Sequence, residues 1–497
     1  MARSPEAASA ATVSPAPAPQ TLSADTRLIA IVGAGFSGVA TAIRLLRGRK
    51  LSSRRLEIVL IDPHADLGAG AAYAARDYPY PLNVAAGQMA LDAAHPSDFL
   101  DFARAQGIHA SAGDYLPRQV YGEYLRARLA EAKVAASANA GLTHLRAQAL
   151  KLSRGGDGRW DLWLDDGSAL HPDEVVLALG NPPPACLPEL AGVAGTSRYV
   201  GGPWDLGAPA HQDIESVLLV GSGLTMVDAA LRLAAIRPRI RRIHVLSRHG
   251  WLPAAQSTHA LPLVSPDLTG ALAAARGSTR KLLGSLRALA HEVSMKGGDW
   301  REVLALARPH LPSQWHALDH AQRSRFLRHA RSLWDVHRHR VPAGPLAAVH
   351  ALMRSGVLEI HAGRIESANP LEDGVEVFWR PRGASKSRAW LVDRVINCTG
   401  PDSRADAQTD PLLRSLFANG FIRNDALSLG LEVASDGRTI GQDGSPVDSL
   451  YYVGPWLRAR DWEATAVPEL REHAARLAQH LNERTSIEAS AQSTTSL

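Results

Sequence analysis

Residues 28–38 read LIAIVGAGFSG, a short apolar run followed by a glycine turn. Residues 39–47 carry apolar side chains at helical spacing, and a second apolar run, LEIVLI at 56–61, ends at Asp62. Strand, turn, helix and strand together form one βαβ unit. Its terminal acid can accept hydrogen bonds from the hydroxyls of a ribose. The stretch therefore predicts a dinucleotide-binding domain and decides the fold class.

The glycine turn has the spacing that a bound pyrophosphate requires. Gly33 allows the tight turn, Gly35 leaves the backbone open to the phosphates, and Gly38 lets the helix pack closely on the strand. Phe36 and Ser37 lie between them, where the first N–H groups of the helix and the positive end of its dipole would face the phosphates.

A second, weaker glycine turn lies near the middle of the chain. Residues 216–220 (SVLLV) precede Gly221 and Gly223, but Met226 occupies the place of the third glycine. A methionine there predicts a shifted helix that packs less closely on its strand.

The strand after the second turn ends at Ser247 and Arg248 rather than at an acid. An acid would repel a 2′-phosphate, whereas this pair can bind one, so we expect NADPH rather than NADH at the second turn. Leu224 and Thr225 complete the predicted site. The alternative is that Arg248 is a solvated surface residue.

Similar patterns follow the two turns. Each is a small antiparallel meander and then an apolar strand that stops at a glycine, Gly180 in the first case and Gly400 in the second. The similarity indicates a structural duplication. The chain closes with an apolar strand at 450–453, then Gly454, then a helix over about 465–481, which predicts that it returns to its first domain.

Composition and the number of sites limit the chemistry. The net charge is only +5, from 54 Lys and Arg against 49 Asp and Glu, with no dense basic stripe, so no nucleic-acid partner is expected. No run of 18 apolar residues predicts a membrane span, and two widely separated cysteines indicate a reducing, cytoplasmic location. The chain lacks a C-x-x-C motif, which excludes the disulfide reductases. Two nucleotide sites then mean that hydride passes from a nicotinamide to a second cofactor, most simply FAD.

The predicted fold class is α/β, with two dinucleotide-binding (Rossmann-type) three-layer domains, the NADP domain inserted in the FAD domain, and an added helical segment. The predicted boundaries are a disordered tail at 1–26, the first part of the FAD-binding domain at 27–205, an NAD(P)-binding domain with a helical insertion at 206–355, the second part of the FAD-binding domain at 356–483, and a disordered tail at 484–497.

Motifs over about residues 27 to 480 resemble the bacterial FAD/NAD(P)-binding proteins related to the N-hydroxylating flavin monooxygenases. They are GAAY at 70–73 with LNV at 82–84, PR at 117–118 with YG at 121–122 and YL at 124–125, GSGLTMVD at 221–228, SRHG at 247–250 with Pro253, RFLRH at 325–329, WDVHRHR at 334–340, NCTGP at 397–401 and WEATAVPELR at 462–471.

The resemblance implies FAD at the first turn, NAD(P)H at the second, and hydroxylation of a small polar substrate with dioxygen. Among characterised relatives, urate hydroxylase, which converts urate to 5-hydroxyisourate, is the expected match. Amino-acid or amine N-hydroxylation, an NADPH-dependent flavin reductase or oxidase, and a non-catalytic cofactor-binding protein remain as alternatives. The oligomeric state stays open.

The resemblance also nominates flavin contacts. Ala466 and Val467 begin the last helix, whose dipole would stabilise negative charge on the reduced flavin ring. Gly454 would let the backbone approach the flavin chain closely, and Gly400 is expected to line a cofactor as well.

The remaining candidates are polar. The amides of Asn83 and Gln88 would bond the edge of the flavin or nicotinamide, or else cap loops. Helical spacing would put His337 beside Arg340, as a pair for an anionic substrate or as a solvated helix face. Arg118 would contact the FAD pyrophosphate or the substrate, or else cap a helix. No metal is expected, because no carboxylate or cysteine spacing accompanies the histidines.

Overall fold

The structure, a computed structural model, describes residues 26–48, 54–74, 76–205, 214–236, 239–257 and 267–495. The tail predicted at 1–26 lies outside these residues apart from Thr26, which begins the first strand. Two large sheets organise the described chain, and a small third sheet packs on the first of them.

The first sheet has six strands, in the order β15-β16-β7-β1-β2-β3. Its strands are β1 (Thr26–Val32), β2 (Arg55–Ile61), β3 (Ala140–Leu145), β7 (Glu174–Leu177), β15 (Arg438–Ile440) and β16 (Pro446–Tyr452). All neighbours pair in parallel except β15, which runs antiparallel to β16. The continuous apolar runs of β1 and β7 are buried along their whole length, as strands covered on both faces must be.

Helices cover one face of this sheet and a small meander covers the other. The helical face consists mainly of α1 (Phe36–Arg47), α3 (Asp98–Ala105), α4 (Arg118–Val134) and α14 (Val467–Thr495), with the short α2 (Gly70–Tyr73) at its edge. The opposite face is covered by β4 (Ala149–Arg154), β5 (Trp160–Leu164), β6 (Ala169–Leu170) and α13 (Pro411–Ala418). The result is a three-layer domain.

The second sheet has seven strands, in the order β13-β12-β11-β10-β9-β14-β8. They are β8 (Tyr199–Val200), β9 (Ser216–Val220), β10 (Arg242–Ser247), β11 (Leu358–Pro370), β12 (Val375–Pro381), β13 (Arg388–Val392) and β14 (Arg394–Asn397). Its apolar core lies under α5 (Leu224–Ile236) and α12 (Ala343–Arg354) on one face.

Strand pairing corrects the predicted domain boundaries. The chain at 356–397 was assigned to the FAD-binding domain, but β11 to β14 all belong to the second sheet, as does β8, which precedes the predicted boundary at 205. The reason lies in β11, which pairs in parallel with β10 at 358–362 and then antiparallel with β12 from 363 onward. The second meander is therefore continuous with its sheet, whereas the first is separate.

A helical segment follows β10 and packs against the chain that leads into the last helix. It comprises α6 (Leu268–Ala275), α7 (Thr279–Met295), α8 (Trp300–Ala307), α9 (Leu311–Ala317), α10 (His320–His329) and α11 (Arg331–Arg338). Its apolar side chains form one cluster with Leu429, Ala459 and Trp462. The added segment therefore buries the approach to α14.

The C-terminal prediction also needs correction. The tail expected from 484 and the helix expected over about 465–481 are one helix, α14, which runs from Val467 to Thr495. Residues 482–495 contain neither glycine nor proline, so nothing in the sequence ends the helix. Within the described ranges, the helices lack the combination of length and apolar character that crossing a bilayer requires.

Candidate functional site

The first glycine turn is closed on its protein side and open on the other. Gly33 has a φ of +99°, and a Cβ there would stand 2.3 Å from the carbonyl oxygen of Ala178. A Cβ at Gly38 would stand 2.0 Å from the Gly33 oxygen, which confirms that helix and strand touch at this point. A Cβ at Gly35, by contrast, would meet only the Cα of Gly70, at 3.8 Å. The turn therefore keeps room for a ligand beside Gly35.

Polar groups around this turn are arranged for a nucleotide. No side chain caps α1 at Gly35, so the N–H groups of its first turn, at Phe36 and Ser37, are available to phosphate oxygens. Asp62 accepts a hydrogen bond from the backbone N–H of Ala34 at 2.8 Å and one from that of His64 at 2.9 Å. The carboxylate thus fixes the turn, and its role toward a ribose stays a prediction.

The second turn repeats the first closely. Gly221 has a φ of +106°, and its Cβ would stand 2.6 Å from the carbonyl oxygen of Cys398. Cys398 immediately follows β14, the strand after the second meander, just as Ala178 immediately follows β7, the strand after the first. The thiol is buried, which raises its pKa, in line with the predicted packing role. Gly223 is exposed, and its Cβ would meet no described atom within 4 Å, so this turn is also open.

Helix α5, after the second turn, packs on its sheet without a third glycine. Met226 is fully buried and packs in the core between α5 and the second sheet. Leu224 and Thr225, the first two residues of α5, are half-buried at the mouth of the turn. The methionine thus faces inward and leaves the ligand side of the turn free.

The corner at the end of β10 is cationic. Ser247 Oγ lies 2.8 Å from Ser222 Oγ and accepts from the N–H of Gly250 at 3.0 Å, so the serine shapes the corner. Arg248 is exposed, with one weak contact of 3.4 Å to Ser332 Oγ. Burial and the neighbouring arginines Arg382 and Arg248 lower the pKa of His249. A 2′-phosphate at this corner would meet two guanidinium groups.

A largely apolar cleft of about 580 Å³ adjoins this corner. It is lined by Gly250, Trp251, Leu252, Leu333, Val336, His337, Met353 and Ile360. Trp251 accepts a hydrogen bond from Ser222 Oγ through its carbonyl, so the cleft lies directly beside the second glycine turn. Helices α11 and α12 close its far side.

The predicted pairing of His337 with Arg340 is wrong in its geometry. Helix α11 ends at Arg338, because the following chain extends to pair Val341 with Ala255. The His337 ring is directed to the Leu333 carbonyl, which lies 2.8 Å from its Nδ1. Arg340 lies past the helix end and contacts the backbone carbonyl of His337, at 3.5 Å, rather than its ring.

Arg340 is instead linked to Asn83, through a residue that the sequence pattern did not single out. Gln256 accepts from Arg340 Nε at 2.9 Å and donates from its amide to the Asn83 carbonyl at 3.3 Å. Burial lowers the pKa of Arg340, and the nearby cations Arg338 and Arg301 lower it further. Two predicted site residues thus meet at one place, between the segment at 83 and the end of the helical segment.

The loop at 83–91 also lies against the last helix. Gln88 ends a short 3₁₀ turn and is exposed. Two residues later, the Ala90 carbonyl accepts from Arg471 Nη1 at 2.9 Å. Ala466 and Val467, half-buried and buried respectively, begin that helix one turn before Arg471. The structure therefore brings Gln88 and the helix N-terminus into one neighbourhood, and their contact with flavin stays a prediction.

Partly buried ion pairs hold the start of the last helix in place. Glu463 lies 2.7 Å from Arg338 and accepts from Trp334 Nε1 at 3.1 Å. Glu469, in the first turn of α14, makes a two-pronged ion pair with Arg308. Ion pairs and apolar packing thus hold the helical segment against the N-terminus of α14, where the flavin ring is predicted to bind.

Arg118 links the two large sheets through an ion pair. Its Nη2 donates to Asp228 on α5 at 2.6 Å, and its Nε donates to the Pro81 carbonyl at 3.2 Å. Burial raises the pKa of Asp228, and the Arg118 guanidinium opposes that shift. The ion pair joins the two domains, and the predicted contact of Arg118 with FAD stays a prediction.

Two further predicted glycines lie at different turns. Gly400 has a φ of +88° with open space around it, and it follows Cys398 beside the second turn. Gly454 has a φ of +149° and follows β16 of the first sheet, where its Cβ would stand 2.8 Å from the Tyr452 hydroxyl. A role for Gly400 would therefore concern the nicotinamide cofactor.

Some residues of this site carry no local signal. Gln256 contacts partners 173 and 84 residues away in sequence, and no spacing rule connects them. Arg382 reaches His249 from the second meander, 133 residues further on. Asp228 and Glu463 belong to the motifs at 221–228 and 462–471, but those motifs do not indicate which residues they pair with.

Two open dinucleotide turns, one on each large sheet, define a two-domain nucleotide-binding protein. Residues 30–182 match the family model of FAD-NAD(P)-binding domains. This match confirms the expected cofactors, FAD and NAD(P)H. Sequence comparison with curated proteins finds no match.

Solved structures of a hydroxylase and of monooxygenases share the fold over nearly the whole chain. Ornithine hydroxylase from Pseudomonas aeruginosa is 15% identical, with a TM-score of 0.62 over 92% of this chain and 99% of that one. L-Lysine 6-monooxygenase from Pseudomonas syringae is 17% identical, with a TM-score of 0.60 over 92% and 99%. The cadaverine monooxygenase of desferrioxamine biosynthesis from Erwinia amylovora is 12% identical, with a TM-score of 0.62 over 92% and 94%. The predicted resemblance and fold class are confirmed.

Proposed function

We propose that this chain is an FAD-dependent, NADPH-consuming monooxygenase that hydroxylates the nitrogen of a small amine or amino acid. The observation that carries the proposal is the presence of two open dinucleotide turns in a chain whose two cysteines, Cys186 and Cys398, are an exposed residue and a buried one. No thiol pair is available to receive electrons from the flavin, so dioxygen is the acceptor that we infer.

Three similar folds support a nitrogen as the atom that is oxidised. Their names give ornithine, lysine and cadaverine as substrates, and each of these has a primary amine at the end of an alkyl chain. Urate, the substrate expected from sequence, receives no such support. An amine is therefore the better proposal.

The polar link near Arg340 favours an amine that also carries an anionic group. Among the described residues the guanidinium is bonded by neutral oxygens, those of Gln256 and of the His337 backbone. This half-buried cation has neutral hydrogen-bond partners, with Arg301 and Asp299 nearby, and a substrate carboxylate would stabilise it further. An amino acid meets this requirement and a plain diamine does not.

The first turn fits FAD because Gly35 leaves the helix N-terminus open, and the second fits NADPH because Gly223 does the same beside a cationic corner. When bound, reduced FAD supplies the activation of dioxygen. The protein holds the phosphates with the N–H groups of α1 and α5. It keeps water from the site with the packed helical segment.

The test follows NADPH oxidation, oxygen uptake and hydrogen peroxide release by the FAD-loaded protein with ornithine, lysine, cadaverine or urate. We expect one of the two amino acids to give a product heavier by one oxygen atom, with little peroxide. Turnover to peroxide that no substrate changes would favour a reductase or oxidase. Oxidation of urate alone would overturn the amine assignment, and a protein that cannot be loaded with FAD would overturn the whole proposal.

A further inference from the structure

Two histidines and a glutamate meet on one face of the second sheet, away from the glycine turns. His244 of β10 faces Glu359 of β11 in the parallel register, and His361 follows two residues later on the same face. Their ligand atoms all lie within 4.8 Å of one another. Glu359 Oε2 is 3.3 Å from His361 Nε2 and 3.8 Å from His244 Nδ1.

His244 Nδ1 and His361 Nε2 are buried, and neither makes a well-aligned hydrogen bond among the described residues, although Glu359 Oε2 lies 3.3 Å from His361 Nε2. The His244 side chain is 7% exposed, and its Nδ1 is aimed at the Glu359 carboxylate from beyond hydrogen-bond distance. A buried polar atom that lacks a well-aligned partner is destabilising, because it has lost its hydrogen bonds to water. Two such atoms beside one carboxylate indicate that a further partner belongs between them.

Aromatic rings hold the two imidazoles in this orientation. The His244 ring stacks on Trp390 at 4.5 Å between centroids, with 12° between the planes. His361 contacts both Trp390, at 4.9 Å, and Trp379, at 5.3 Å. The rings are therefore positioned before any ligand arrives, and only the flexible glutamate needs to move.

We propose that His244, Glu359 and His361 bind one divalent cation of the zinc type. Imidazole and carboxylate are the ligands that Zn²⁺ takes, and three protein ligands with an open fourth position is a familiar zinc arrangement. With bonds of about 2.0–2.1 Å, ligand atoms around tetrahedral zinc lie roughly 3.3 Å apart, which is the separation of Glu359 from His361.

The surroundings agree with this assignment. The Glu359 side chain is 41% exposed and gives the cation a path from solvent. The cation would tie β10 to β11 just before the Ser247 corner, since Ala362, next to His361, pairs with Ser247.

The test uses the full chain without an affinity tag, stripped with a chelator. Calorimetric titration with ZnCl₂, and elemental analysis after dialysis, should give one tightly held zinc per chain. His361→Gln and Glu359→Gln should each weaken that binding by on the order of 100-fold or more, because even outer-shell partners contribute roughly 10–100-fold. His171→Gln, which alters an exposed histidine paired only with Asp161, is the matched control and should retain the zinc.

FAD content and melting temperature verify that each variant is folded. A wild-type chain that keeps no zinc after dialysis would overturn the proposal, as would the same zinc content in wild type and both ligand variants. Because the readout is metal content, the outcome does not depend on the proposed monooxygenase activity.

Discussion

Replacing Gly223 with alanine should separate cofactor binding from folding at the second turn. The new methyl group would meet no described atom within 4 Å, and the backbone there is not in the left-handed region. The free energy of unfolding should therefore stay the same or rise by about 0.4–1 kcal/mol, since alanine restricts the unfolded chain.

The same methyl group would occupy the space that the pyrophosphate needs. Overpacking of one methyl costs about 1–3 kcal/mol, and each 1.4 kcal/mol is a factor of ten in the dissociation constant. We expect the Kd for NADPH to rise by roughly 5–150-fold. Calorimetric titration of the FAD-loaded protein measures this value, and urea denaturation measures stability.

Two glycines provide the controls. Gly221→Ala should lose both stability and binding, because φ is +106° and the Cβ would stand 2.6 Å from the Cys398 carbonyl. Gly344→Ala, in an open helical position of α12, should leave NADPH binding unchanged and raise stability by about 0.5–1 kcal/mol. If Gly223→Ala binds NADPH as tightly as wild type, the turn does not hold the pyrophosphate and the reasoning fails.

Three further predictions concern charges. Arg248→Ala should raise the Kd for NADPH about tenfold or more and leave the Kd for NADH nearly unchanged in calorimetric titration. If the affinity falls equally for both cofactors, Arg248 does not contact a 2′-phosphate. Glu463→Ala should lower the free energy of unfolding by about 3 kcal/mol, because Arg338, 13% exposed, loses its near partner and retains Glu469 at 3.9 Å. Truncating the exposed Arg126 should cost under about 1 kcal/mol, and similar values for the two variants in urea denaturation would contradict this. Burial lowers the pKa of His339 to about 4, so the native state resists its protonation and stability is lost as pH falls from about 6.5 toward 4. His339→Gln should reduce this loss of unfolding free energy by under about 1 kcal/mol at pH 5.5, because a third of the His339 side chain is exposed. If the pH profile of unfolding is the same in the variant and the wild type, His339 does not contribute to acid sensitivity.

What the sequence predicts well here is local. The turn at 33–38 and the turn at 221–226 depend on glycines a few residues apart, and short-range sterics determine them. The strand ends beside them follow from apolar runs that stop at a glycine. For these features the chain carries its own signal, and the structure agrees with them.

The sequence does not predict which strands and side chains pair over long range. Strand β11 looks like part of a meander, yet its first half pairs with β10, and that pairing moves a whole domain boundary. Arg118 looks like a phosphate ligand, yet it pairs with a residue 110 positions away. The helix that was to place His337 beside Arg340 ends earlier, because an extended pairing at Val341 competes with it. In each case a long-range contact overrides the local pattern.

Helix α5 shows how such contacts can serve the site. It begins at the second turn, and Asp228 lies about 6 Å and Arg232 about 12 Å along its axis from Leu224. Asp228 pairs with Arg118 of the first domain, while Arg232 pairs with Asp77 of the same domain at 2.5 Å.

In one pair α5 supplies the acid, and in the other α5 supplies the base. This alternation defines the register between the two domains. A slip of one helical turn would bring acid toward acid or base toward base and would be opposed by repulsion. Arg118 begins α4, which packs on α1, and α1 begins at the first glycine turn. An unbroken series of rigid elements therefore runs from one nucleotide turn to the other. The separation of the two cofactors is then a property of the folded protein, set before either cofactor binds.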